Sequence, residues 1–172
     1  HKLNQNPDQA IQEYIQALDL FKSIDNRGKQ IVVLNNISSL HWQLENHRQA
    51  KTYAREALQL SQEDQNQIAI ISSQLNLANV LKEEDSVDYA IELYLDGIEV
   101  AEQLGDLETT AQAKNNLGIC YGKLGASEKE LKVYKQVLQL YETIGKPKYL
   151  AAVSLNIATT FQTLEAMDSA FY

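Results

Sequence analysis

The stretch K-N-N-L-G-I-C-Y-G-K-L-G, residues 114–125, gathers Gly118, Gly122 and Gly125 around the single cysteine, Cys120, and sets Lys123 after the second glycine. Two chemistries use such a set: a phosphate cradle of backbone N–H groups, and a thiolate nucleophile. Neither fits. The Gly122–Lys123 pair is one residue short of the G-x-x-x-x-G-K spacing and is followed by Leu124, where a phosphate loop needs a hydroxyl. The histidines His41 and His47 have no carboxylate or thiol at metal-ligand spacing. Glu83, Glu84, Asp85 and Asp88 lack the alternating ligands and glycine of a calcium loop, so they read as a solvated turn. Asn36-Ile37-Ser38 matches a glycosylation sequon but falls within a helical pattern. No nucleophile–base pair, metal set or cofactor motif is legible. The expectation is a chain that binds and does not catalyse.

Bulk properties narrow the partners. Of the 172 residues, 44% are hydrophobic and 22% charged, the balance of a folded chain. Seven glycines and two prolines are too few to punctuate a many-stranded fold, and Gln, Leu, Ala, Glu and Lys favour helix. A net charge of −8 argues against nucleic acid and against a polybasic membrane role. The longest apolar runs, I-V-V-L (31–34) and I-A-I-I (68–71), are far short of a membrane span. One cysteine cannot close an internal disulfide. A cytoplasmic setting is expected, and the opening His1 suggests a piece of a longer protein.

The elements that would position any site come from an internal repeat. At a spacing of 40 residues, Asn36, Asn76, Asn116 and Asn156 share a column. Ile37, Leu77, Leu117 and Ile157 follow, then the small residues Ser38, Ala78, Gly118 and Ala158, and three positions on His41, Leu81, Tyr121 and Phe161. Ala10, Ala50, Ala90 and Ala170 form another column, broken by Glu130. Each period holds two helical stripes, such as Leu131, Tyr134, Val137, Leu138 and Tyr141. Punctuation agrees: Gly105 and Gly145 suit helix C-termini, Pro7 and Pro147 suit first turns, and Ser127 with Glu130 reads as a capping box. Helices are expected at about 7–23, 28–44, 47–62, 67–83, 87–104, 107–123, 127–144 and 147–163, with another starting near 167. In this scheme Gly118 lets two helices pass close, and Cys120 shares a mixed packing column with Leu40, Val80 and Thr160.

Leu117-Gly118, Tyr121 and Tyr134, with Ala90, Tyr94 and Gly97 in the preceding period, resemble the tetratricopeptide repeat. The 40-residue spacing is similar to that of kinesin light chains, Pins-type adaptors and Rap-type bacterial receptors. The resemblance implies an all-α, right-handed α-solenoid superhelix of antiparallel helix pairs over residues 1–172. It would comprise a second helix of an incomplete repeat at 7–24, complete pairs at 28–62, 67–104 and 107–144, and a truncated repeat at 147–172. The sequence departs from the family pattern at His41, Ala54, Glu84, Val137 and Glu130.

Helical geometry then aims one face of each first helix at the inner groove. That face carries Asn35, Asn36, Ser39, Trp42 and Gln43; then Leu75, Asn76, Asn79, Lys82 and Glu83; then Asn115, Asn116, Ile119, Gly122 and Lys123; then Leu155, Asn156, Thr159, Gln162 and Thr163. An Asn amide both donates and accepts, so a column of them could hold a peptide backbone while Trp42, Leu75 and Ile119 offer apolar pockets. In the resembled proteins an Asn at this place often serves that purpose. The same amides could instead bond the neighbouring repeat and set the stagger; both roles are open. The expected function is a protein-interaction module for a peptide or helical segment, basic or amphipathic to suit the charge. The alternative is a sensory or regulatory segment of a larger bacterial signalling protein, and a third reading is a spacer. No nucleic acid, membrane, metal or cofactor is expected, and the chain should be a monomer or a weak homo-oligomer through apolar ends such as Phe171 and Tyr172.

Overall fold

The computed structural model describes the backbone of residues 7–82 and 86–170, with side chains through 166. Its ground plan is set by turns. Asp25, Glu45, Gln65, Gly105, Gly125 and Gly145, spaced by twenty or forty residues, all adopt the left-handed conformation, with φ between 50° and 70°. Each ends a helix, and the next residue starts another. Asn26 shows how: its N–H donates to Phe21 O at 2.9 Å, closing the helix before it, while its Oδ1 accepts from Lys29 N at 3.1 Å, capping the helix after it. Asn66 and Asp106 cap in the same way, accepting from Ala69 N and Thr109 N.

The described residues form eight helices and no strand: α1 (Pro7–Ser23), α2 (Arg27–Gln43), α3 (His47–Glu63), α4 (Gln67–Leu81), α5 (Val87–Gln103), α6 (Leu107–Lys123), α7 (Ser127–Thr143) and α8 (Pro147–Ala170). Pro7 and Pro147 stand at first helical positions, where a missing N–H breaks no bond. The chain divides into two compact units, His1–Glu84 and Asp85–Tyr172. The 40-residue period gives no hint of that division.

In the first unit each helix packs on the next, and α2 also lies beside α4. Leu18, Val33, Leu34, Ile37 and Ala57 make its core, with Tyr14, Phe21, Tyr53 and Leu60 around them. The small-residue column works here as a close approach. Ser38 is fully buried, and its Oγ donates to Ala50 O at 2.8 Å, joining α2 to α3.

In the second unit α5 packs on α6, α6 on α7 and α7 on α8. Its core holds Ala111, Tyr134, Val137, Tyr141 and Val153. Gly118 sits under Tyr134: a Cβ there would lie 2.5 Å from the ring. Close passage of two helices at Gly118, expected from sequence, is what the structure shows. Cys120 is buried within the same helix, and Gly122 and Lys123 lie in α6, so no phosphate loop exists here.

Two expectations fail. The capping box does not form: the N-cap of α7 is Ala126, and Ser127 is already helical and buried. Glu130 turns away from the helix start toward Gly122, whose absent Cβ would meet its Oε1 at 2.7 Å. A carboxylate thus fills space freed by a glycine. The eighth helix does not stop near 163 and restart at 167 but runs on to Ala170, with Glu165 helical. Glu83, Glu84, Asp85, His1, Phe171 and Tyr172 lie outside the described residues.

Candidate functional site

On the first unit the predicted face is a polar seam between α2 and α4. Asn35 Nδ2 donates to Ser73 Oγ at 3.1 Å, Asn76 Nδ2 donates to Asn35 Oδ1 at 3.0 Å, and Ser39 Oγ donates to Asn76 Oδ1 at 3.1 Å. Asn35 and Asn76 are half-buried; Asn36 and Ser39 are exposed. Asn76 therefore staples one repeat to the next, yet its amide keeps a second N–H and further lone pairs for a ligand. Asn79 is half-buried and Lys82 buried, each with a polar partner. Trp42 is half-buried, and its Nε1 is enclosed without a hydrogen-bond partner among the described residues, so this ring serves as packing as well as surface. Beside it His41 stacks on Tyr53, centroids 5.5 Å apart, and burial lowers its pKa.

Ser73 was not legible as part of this seam. Its column reads Val33, Ser73, Ala113 and Val153, so the hydroxyl occurs once and leaves no periodic trace.

On the second unit Asn115 and Asn116 are half-buried on α6, Lys123 is exposed at its end, and both Asn116 and Lys123 have polar interactions. On α8 Asn156 is half-buried. Thr159 is exposed, but its Oγ1 donates to Leu155 O at 3.0 Å within its own helix. Where Gly122 leaves room, burial pushes the Glu130 carboxyl up, and hydrogen bonds from Thr160 and Tyr134 pull it partly back. The same burial, reinforced by the Glu130 charge, raises the Tyr134 phenol. These groups are committed to one another, not aimed at a reacting atom. Among the described residues no three His, Cys, Asp or Glu side chains gather at metal-holding distances.

A sequence profile described as tetratricopeptide repeat matches residues 1–63 and 69–143. The chain belongs to the tetratricopeptide repeat family. No curated protein matches it significantly. Solved structures with the same tetratricopeptide architecture do. BtubC (BKLC) from P. vanneervenii superposes with a TM-score of 0.86 at 16% identity, over 94% of this chain and 67% of that one. The apo form of RapI gives 0.84 at 17% identity, over 97% and 61%. A Rap protein complexed with Competence and Sporulation Factor gives 0.80 at 17%, over 97% and 47%. This tetratricopeptide chain thus spans less than two thirds of either Rap protein's length. At such identities the likeness is one of fold.

Proposed function

We propose that this protein-interaction repeat captures a peptide or helical segment of a partner along the first-helix faces, without catalysis. Asn36, Asn76, Asn116 and Asn156 would meet the peptide backbone, with Asn35, Ser39, Asn79, Asn115, Thr159, Lys82, Lys123 and Trp42 around them. The observation that carries this reading is the amide–hydroxyl seam of Asn35, Ser39 and Asn76 with Asn36 open beside it. A surface lined by groups that both donate and accept suits an unpaired backbone. The Rap complex lends support, since a protein of the same fold is complexed with a factor named for competence and sporulation. That complex also favours a second reading, in which ligand capture by this segment regulates a longer signalling protein. A partner with basic or amphipathic character suits the charge of −8. A cytoplasmic location fits this role, and no described helix is long and apolar enough to cross a membrane.

The test uses peptides selected from a displayed random library against the chain and measured by fluorescence anisotropy. Asn36→Arg and Thr159→Arg, both at exposed positions, should weaken the selected peptides about tenfold or more, a difference of about 1.4 kcal/mol, with circular dichroism unchanged. Full affinity in both folded variants removes the first-helix faces from the reading.

A further inference from the structure

The second unit carries a cleft on the other side of α6 from the asparagines. Its floor is Leu117 and Tyr121 of α6 with Ile98 of α5, and its walls are Leu95 of α5 and Val133 of α7. At 3.6 residues per turn, Lys114, Leu117 and Tyr121 fall on one side of α6, and Asn115, Asn116 and Ile119 on the opposite side. The cavity holds about 340 Å³, the low end of ligand-pocket size. A second hollow of about 330 Å³ adjoins it along α6, sharing Glu102, Lys114 and Gln136.

Its charge opposes that of the whole chain. Lys114, Lys129 and Lys132 line it against a single carboxylate, Glu102. That carboxylate is taken up by Lys114 at 2.9 Å, and Lys114 is also bonded to Gln136 Oε1 at 2.9 Å. The exposed Lys129 stands 5.6 Å from the Tyr121 ring centroid, and Lys132 is exposed beside Val133. The repeat does not demand these lysines. The Lys114 column elsewhere holds Leu34, Gln74 and Ser154, the Lys129 column Gln49 and Tyr89, and the Lys132 column Thr52 and Glu92. Lys114 ties α6 to α5 and α7, whereas Lys129 and Lys132, which have no lysine counterparts 40 residues away, stand exposed at the rim of this one cleft.

We infer that this cleft is a second docking site, for an acidic amphipathic segment of a protein partner that inserts aliphatic side chains over Leu117 and sets its carboxylates against Lys129 and Lys132. The apolar floor selects the inserted side chain, and the two rim ammonium groups fix its flanking charge. The site lies apart from the first-helix faces and does not depend on the reading given to them.

The probes are two short fluorescein-labelled peptides with the same helical leucine spacing, one with glutamate and one with lysine at the polar positions. Fluorescence anisotropy should show saturable binding of the glutamate peptide, with Kd on the order of 10 μM. The doubly substituted Lys129→Glu/Lys132→Glu protein should bind it about tenfold more weakly, and Leu95→Ser several-fold more weakly, while Asn36→Arg leaves it unchanged. Circular dichroism checks that each variant is folded. Equal binding of the lysine peptide, indifference to the lysine substitutions, or no saturable binding by the glutamate peptide would overturn the site. Sodium octanoate is the control: if it alone binds, and does so through the same lysines, the cleft takes free carboxylic acids and the docking proposal fails.

Discussion

Gly118 concentrates the logic of this chain in one missing methyl group. Alanine is about 1 kcal/mol better than glycine inside a helix, so Gly118→Ala would stabilise α6 taken alone. In the folded protein the added Cβ would lie 2.5 Å from the Tyr134 ring, which is only 2% exposed. Overpacking of this kind costs about 1–3 kcal/mol, enough to outweigh the propensity gain. Urea denaturation should show Gly118→Ala less stable than the parent, and adding Tyr134→Leu should recover part of the loss, a coupling that independent sites would not show. This contact was legible before the structure because Gly118 stands in a column of small residues. Glu130 was misread for a complementary reason. Its spacing from Ser127 matched a capping box, but the local motif lost to a tertiary one, the vacancy left by Gly122 on another helix. The hydrogen-bonded trio of Asn35, Ser39 and Asn76 was legible as a set of polar positions; which of them bond to each other depends on how α2 and α4 lie, and no column records that.

At the scale of elements, the recurring unit is a helix closed by one left-handed residue and a following cap. Two of the three glycine members of that series, Gly105 and Gly145, were legible because glycine advertises positive φ; Gly125 takes the same conformation but was read only as part of the Gly118–Gly125 stretch. Asp25, Glu45 and Gln65 take the same conformation silently, so in the first half of the chain no residue type marks the twenty-residue rhythm that Gly105, Gly125 and Gly145 show in the second. The two groups make opposite predictions. A Cβ on Gly105 would meet nothing within 4 Å, so Gly105→Ala tests the backbone alone and should lower stability by about 1 kcal/mol. Gln65→Gly relieves the same strain but loosens the unfolded chain, leaving a gain of a few tenths to about 1 kcal/mol. Thermal melts should move in opposite directions, by about 2–4 °C per kcal/mol in a chain this long. A rise on Gly105→Ala would show that tertiary packing, and not left-handed strain, governs these turns.

For the molecule as a whole, 15 basic against 23 acidic residues give a net −8, while the α5–α6–α7 cleft gathers three lysines around one glutamate. Two kinds of partner should therefore respond to salt differently. A basic peptide approaching the first-helix faces is drawn by the field of the entire chain, so its association rate should rise as ionic strength falls. An acidic segment bound for the cleft is repelled at long range and attracted only within the last few ångströms. Screening lifts the repulsion at separations beyond a Debye length, about 8 Å at physiological ionic strength, but leaves the close lysine contacts largely intact. Stopped-flow measurements on the selected basic peptides and on the glutamate peptide, from low to physiological salt, should thus give a falling association rate for the first and a flat or rising one for the second. Parallel slopes would mean that the chain's net charge, and not the local arrangement of Lys114, Lys129 and Lys132, decides what reaches this surface.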